Sequence, residues 1–247
     1  MERKHFIKSL LLGSASIPAL LAACAKDNGA APAASTSGST GTATGTTTGT
    51  SSSGCTVAPT ETEGPFPTKA PAAYVRSDIT DGKAGYKLTI RLTVANASSS
   101  CAALAGVLVD IWHCDAEGNY SEYGGAGMQA ANYQGVHFLR GRQVSDASGR
   151  VAFTSIFPGW YNGRATHIHV HVYSASGSTL KVTQIAFPEG AGSALAAVGG
   201  YAKGLSGYTY NKSDNVFGDD TAGAELASVT GSPTAGFELT ATIGVAA

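Results

Sequence analysis

Tyr86-Lys87-Leu88-Thr89-Ile90-Arg91-Leu92-Thr93-Val94 alternates apolar and polar side chains without a break. A period of two belongs to a strand with one buried face, so Leu88, Ile90, Leu92 and Val94 are expected in a core. Downstream, Val107–Trp112 reads as a second strand, bounded by Gly106 and the turn-forming Asp115-Ala116-Glu117-Gly118-Asn119. Further strands are predicted at Val151–Ile156, Ile168–Tyr173, Leu180–Phe187 and Phe237–Ile243. Gly/Asp/Ser turns such as Asp146-Ala147-Ser148-Gly149 separate them. A short helix is expected around Gly192–Ala202, weakened by its glycines. Many short strands at this spacing predict an all-β fold, an antiparallel β-sandwich or barrel with short helices and long loops. The sequence contains no internal repeat, glycine-rich phosphate loop or nucleophile elbow.

The N-terminus has a different character. Arg3, Lys4 and Lys8 precede an apolar run from Ser9 to Ala23, which predicts an export signal over residues 1–24. The run closes Leu21-Ala22-Ala23-Cys24 and resembles a bacterial lipobox, so Cys24 is the expected site of a lipid anchor holding the protein at the cell envelope. Arg3-Lys4-His5-Phe6 resembles a twin-arginine signal in which Lys4 replaces the second arginine, leaving both export routes open. Residues 25–54 are almost wholly Ala, Ser, Thr and Gly, the composition of a flexible tether, and residues 55–247 are expected to form the folded domain. In an oxidising compartment Cys55, Cys101 and Cys114 predict one disulfide and one free thiol. Cys101 and Cys114 flank an extended segment too long for the ~5.5 Å Cα separation of a disulfide. Cys55 is therefore the common partner, with either of the other two. A net charge of −1 over 247 residues excludes an extended basic surface for nucleic acid.

The densest chemical signal is Phe157-Pro158-Gly159-Trp160-Tyr161-Asn162-Gly163-Arg164-Ala165-Thr166-His167-Ile168-His169-Val170-His171. On a strand, His167, His169 and His171 share one face while Ile168, Val170 and Val172 share the other. Imidazoles about 7 Å apart along a strand converge on one ion when the strand bends, which makes H-x-H a metal clip. Alone, the pattern equally describes a solvated histidine face. Its neighbours tip the balance, because Trp112-His113-Cys114-Asp115-Ala116-Glu117-Gly118-Asn119-Tyr120 sets a tyrosine just past a buried strand and a tight turn.

Together with Thr62-Glu63-Gly64-Pro65-Phe66 and Phe138-Leu139-Arg140-Gly141, these stretches resemble the intradiol ring-cleavage dioxygenases, the family of catechol 1,2- and protocatechuate 3,4-dioxygenases, in its single-domain exported branch. The resemblance runs from about Cys55 to Phe187. It implies one iron(III) per chain held by Tyr120, Tyr161, His167 and His169. Hard anionic phenolates suit the trivalent ion, and imidazole is a common iron ligand. It further implies that Tyr161 leaves the metal to act as a base, and that Arg164 and Gln184 steady negative charge on the ring. The implied substrates are a catechol and O₂, yielding a muconate-type diacid. His171 is expected to be structural, and His113 and His137 receive no role. The family's helical N-terminal domain, its usual means of dimerisation, has no counterpart here, which implies a monomer. The competing reading is an exported β-sandwich module that holds copper or zinc, or engages a partner, without catalysis. A copper electron-transfer site would need a Cys, two His and a Met in one loop, and Cys114 and Met128 do not supply that spacing.

Overall fold

The structure, a computed structural model, describes residues 55–247, so the export signal, Cys24 and the tether lie outside the described residues. Two sheets face each other. In the first, β1 (Lys87–Asn96) is central: β5 (Arg150–Ile156) and the short β2 (Ala102–Ala103) pair with it antiparallel, and β9 (Gly236–Val245) pairs with it parallel. Beyond β9 lies antiparallel β8 (Ser228–Ser232). The second sheet is antiparallel throughout, in the order β4 (Arg140–Val144), β3 (Leu108–Trp112), β6 (His167–Tyr173), β7 (Thr179–Ala186).

The sheets form a sandwich and do not close into a barrel. The parallel β1–β9 pair departs from the antiparallel expectation. A parallel neighbour requires a long return connection, which here is the whole chain between β1 and β9, ending in the excursion between β7 and β8. That excursion carries the predicted helix in shortened form: α1 (Leu195–Gly199) buries Leu195, Ala197 and Val198 and stops at Gly199-Gly200.

The alternation in β1 holds: Leu88, Ile90, Leu92 and Val94 are buried against Val109 and Ile111 of β3 and Ile168, Val170 and Val172 of β6. Three strands escaped the hydrophobic pattern, β2, β4 and β8. The informative case is β4, Arg140-Gly141-Arg142-Gln143-Val144, whose arginines pair beneath loops and leave no apolar period to read.

Functionally, the outward face of the second sheet matters most. Its register aligns Arg140, Trp112, His169 and Gln184 in one cross-strand row. In an antiparallel ladder, directly opposed residues project from the same side, so the four side chains form a single line across the sheet. Water does not reach this row, although the far end of the same face is open at Val144. The segment 61–69 and the loop 113–139 cover the row, through bonds such as Gln184 Nε2 to the Thr62 carbonyl (3.0 Å) and Arg140 Nη1 to the Phe66 carbonyl (3.0 Å).

Cys55 bonds to Cys101, with a Cα separation of 5.6 Å, and Cys114 is a buried free thiol, which settles the open pairing. His113 and His137 find structural roles. His137 Nδ1 meets Tyr74 Oη (2.7 Å) and Glu122 Oε1 (3.1 Å). His113 joins the sheets: Nδ1–H donates to the Cys114 carbonyl (2.8 Å) and Nε2 accepts from Ser155 Oγ on β5 (2.7 Å). Burial pushes the His113 pKa down to about 4.

Chain closure over this loop length is worth about 4 kcal/mol in the entropic treatment, so Cys55→Ala/Cys101→Ala is expected to lose about that much in urea unfolding. The low folded-state pKa of His113 gives a pH dependence. Its stabilisation is complete above the unfolded value of 6.5 and is lost as pH falls towards about 4, because only the unfolded chain takes up the proton. Stability of the metal-free protein should fall across that window, and His113→Asn should flatten the slope; an unchanged slope would place the proton uptake elsewhere.

Candidate active site

Strand β6 supplies the two central imidazoles. The His167 and His169 side chains lean together until their Nε2 atoms are 3.1 Å apart. Each ring is held from behind. His169 lies flat on Trp112 (centroids 4.9 Å, planes at 1°), its neighbour in the cross-strand row. Gly64 packs against the same ring, with φ at +71°, which favours glycine, and a hypothetical Cβ 3.0 Å from His169 Cε1, so a larger residue would also crowd the imidazole. His167 Nδ1–H donates to the Ala165 carbonyl (2.6 Å), which leaves the Nε2 lone pair facing inward.

Tyr120 arrives from the turn after β3. The buried Asp115 carboxylate accepts from the backbone of Glu117 (3.1 Å) and Asn119 (2.8 Å) and pairs with Lys83 (2.6 Å). Gly118 passes so close to the Trp160 carbonyl that a Cβ would lie 2.1 Å from it. The chain then places Tyr120 Oη 3.1 Å from His167 Nε2, while Phe66 stacks on the ring at 4.8 Å. Tyr161, on the loop entering β6, stands edge-on to Tyr120 and His167, at 5.6 Å from each.

Beside Tyr161 runs a second polar chain. Arg164 donates from Nη1 to Tyr161 Oη (3.3 Å), from Nη2 to Gln184 Oε1 (2.7 Å) and from Nε to Asp214 Oδ2 (2.9 Å). Asp214 also accepts from the backbone of Ala165 and Val216. Burial raises the Asp214 pKa, but these hydrogen bonds outweigh it and hold the carboxyl below its ordinary range. Its charge thus fixes the guanidinium.

All the residues singled out from the sequence, Tyr120, Tyr161, Arg164, His167, His169 and Gln184, therefore meet in one place. His171 points elsewhere, to Glu63 (2.9 Å) and Thr179 (2.9 Å). Asp214 and Gln129 were not anticipated, and Trp112, Asp115 and Arg140 lay within quoted stretches without an assigned task. Gly64 and Phe66 lay within a recognised stretch but had no assigned task.

Burial pushes the Tyr120 phenol well above its ordinary pKa, the His167 imidazole down to about 3, and His169 far below its usual value. Alone, the cluster is a set of neutral donors. The single inward lone pair of His167 faces both Tyr120 Oη and His169 Nε2, and it cannot fully satisfy the two at once. Donors that converge while remaining under-satisfied fit a cation at their common focus. Among the described residues, no group of three or more His, Cys, Asp or Glu has metal-holding geometry, so the phenols are indispensable to any such site. Access differs among the donors: Tyr120, His167 and His169 are 0–1% exposed, whereas Tyr161 is half-buried and borders a cleft of about 360 Å³ with Asn119, Gln129, Asn162 and Lys203. A larger hollow of about 880 Å³ lies over the first sheet near Arg91 and Arg150, away from these donors.

Comparison with known proteins places this geometry. The family described as Dioxygenase matches residues 63–197, more than half of the chain. No curated protein sequence matches. Among solved structures, an intradiol ring-cleavage dioxygenase from Tetranychus urticae is 25% identical, over 77% of this chain and 95% of that one, with a TM-score of 0.66. The dioxygenase domain of a dioxygenase–carbohydrate-binding fusion from Streptomyces sp. SirexAA-E is 28% identical over 76% and 96%, with a TM-score of 0.52. A 3-chlorocatechol 1,2-dioxygenase from Rhodococcus opacus 1CP shares the fold at 19% identity, over 79% and 73%, with a TM-score of 0.52. The matched segment contains Tyr120, Tyr161, Arg164, His167, His169 and Gln184, and the chain belongs to the intradiol ring-cleavage dioxygenase family.

Proposed function

We propose that this protein is an iron(III) enzyme that cleaves a catechol between its two hydroxyl-bearing carbons, placing both atoms of O₂ in a muconate-type diacid. The observation that carries the reading is the convergence of Tyr120 Oη, His167 Nε2 and His169 Nε2 at contacts of 3.1 Å, with Tyr161 as the one donor bordering a cleft. Tyr120, Tyr161, His167 and His169 would hold the metal. When bound, ferric ion supplies the electron-accepting centre at which a chelated catechol becomes reactive towards O₂.

The remaining chemistry belongs to side chains. Tyr161, half-buried at the cleft, is placed to release its position to the incoming catechol and to take one of its protons. Arg164 already donates towards Tyr161 Oη, so the same cation serves negative charge that moves from this phenolate to the ring. Gln184 holds Arg164 through Oε1 and is itself held by the Thr62 carbonyl, which makes it an orienting group for the guanidinium. Asp214 balances the charge of Arg164 from the side away from the phenol.

We further propose that the protein is exported and lipidated at Cys24, on the strength of the basic residues, apolar run and Leu21-Ala22-Ala23-Cys24 at its start.

Purified protein is expected to be red to burgundy, from phenolate-to-iron(III) charge transfer, with one iron per chain by elemental analysis. His167→Ala and His169→Ala should lose iron, colour and activity together. Tyr161→Phe should retain iron with a shifted spectrum and turn over poorly. Arg164→Ala should keep iron and lose kcat by about 2.7–4 kcal/mol in activation free energy. Oxygen uptake with catechol, protocatechuate and hydroxyquinol measures these effects; a colourless protein preferring zinc or copper would remove the iron assignment, and full activity in Tyr161→Phe would remove the base. For export, a palmitate-analogue label should be lost in Cys24→Ser, and its persistence would refute lipidation there.

A further inference from the structure

Tyr120 lies outside every strand, just past a tight turn, so no ladder neighbour satisfies its backbone. A single side chain does so instead. Gln129 Oε1 accepts the Tyr120 N–H at 2.6 Å, and Gln129 Nε2 donates to the Tyr120 carbonyl at 2.9 Å. The same Nε2 reaches the carbonyls of Tyr123 (3.0 Å) and Ala131 (3.2 Å). The amide thereby mimics the edge of a neighbouring strand, presenting one acceptor and one donor to one residue. Gln129 is only 5% exposed, whereas its neighbour Met128 is 71% exposed, so the loop sends this one side chain inward. Phe66 covers the Tyr120 ring while Gln129 fixes its backbone. A phenol oxygen sits at the far end of a long lever, so a small rotation at the backbone displaces it appreciably from the 3.1 Å contact with His167.

We propose that Gln129 is the positioning residue of Tyr120, holding its phenol oxygen on the focus it shares with His167 and His169. This rests on the metal-centre reading above. Gln129 also lines the cleft beside Tyr161, so the wall of the cleft and the setting of Tyr120 share one side chain.

The test uses the full chain with Gln129→Met, which preserves length and removes both hydrogen bonds to Tyr120 together with those to Tyr123 and Ala131, and Gln129→Glu, which keeps an acceptor for the Tyr120 N–H and loses the donor. In the metal-free protein, hydrogen exchange at the Tyr120 amide should accelerate about tenfold in Gln129→Met and stay slower in Gln129→Glu, with core amides of β1 unchanged. With ferric ion, chelator competition should show affinity reduced about 10–100-fold in Gln129→Met, with a displaced charge-transfer band. In a Tyr120→Phe background, Gln129→Met should cause no further loss of affinity. Unchanged exchange at Tyr120, or an affinity loss that persists in the Tyr120→Phe background, would overturn the proposal. A wild-type chain that takes up no ferric ion would overturn the metal reading instead, and amide exchange would then decide the role of Gln129 alone.

Discussion

Arg140 has no exposed surface, and the outer face of the second sheet depends on how its charge is satisfied. It donates to Ser121 Oγ (2.9 Å), the Ser121 carbonyl (2.7 Å), the Phe66 carbonyl (3.0 Å) and Thr68 Oγ1 (3.1 Å), and lies 3.5 Å from Glu122. Burying a guanidinium is tolerable only when it is well hydrogen-bonded and its charge is offset. Here the partners are the two coverings of the site, the segment that brings Gly64 and Phe66 and the loop that brings Tyr120. One cation on β4 therefore staples both coverings to the row that contains Trp112, His169 and Gln184. Around this staple the chain accepts left-handed backbone at Glu122 (φ 69°) and Leu139 (φ 57°). Side-chain residues rarely adopt that conformation unless their surroundings impose it.

The second sheet divides its labour by face. Ile168, Val170 and Val172 join the core, while His167 and His169, one position out of phase, form the site. A strand that buries both faces normally reads as continuously apolar. In β6 the second face is buried with polar side chains, which is affordable because each histidine has a dedicated support. The same burial holds the phenols and imidazoles neutral before any cation arrives, so the donors are arranged by packing rather than by mutual charge.

Local periodicity made β1 and β6 legible, along with the sandwich class. The parallel seating of β9 was not legible, because it depends on where a distant segment returns. Strand β4 was hidden for the opposite reason: its arginines look like surface charge until their partners are seen, Asp110 directly across the ladder on β3 and Glu122 in the covering loop. Spacing alone made His167-Ile168-His169 legible as a metal clip, whereas Tyr120, Tyr161, Arg164 and Gln184 were legible only through the resemblance to the intradiol dioxygenases. Their supports were not. Gln129 and Asp214 are single polar residues in long connections, and nothing in their neighbours announces that one will grip the backbone of Tyr120 and the other the guanidinium of Arg164. The disulfide remained ambiguous for a similar reason, since spacing excluded one pair and left two.

The Cys55–Cys101 bond has a mechanical consequence. Tension applied along the backbone between Cys55 and the C-terminus has a covalent bypass: it passes through sulfur to Cys101 and omits the intervening 46-residue separation. That omitted stretch contains Gly64, Phe66 and all of β1. The segment bearing Gly64 and Phe66 is thus carried as slack in the load path, whereas the loop bearing Tyr120 lies within it, so drag on the folded domain would reach the Phe66–Tyr120 stack from the Tyr120 side alone.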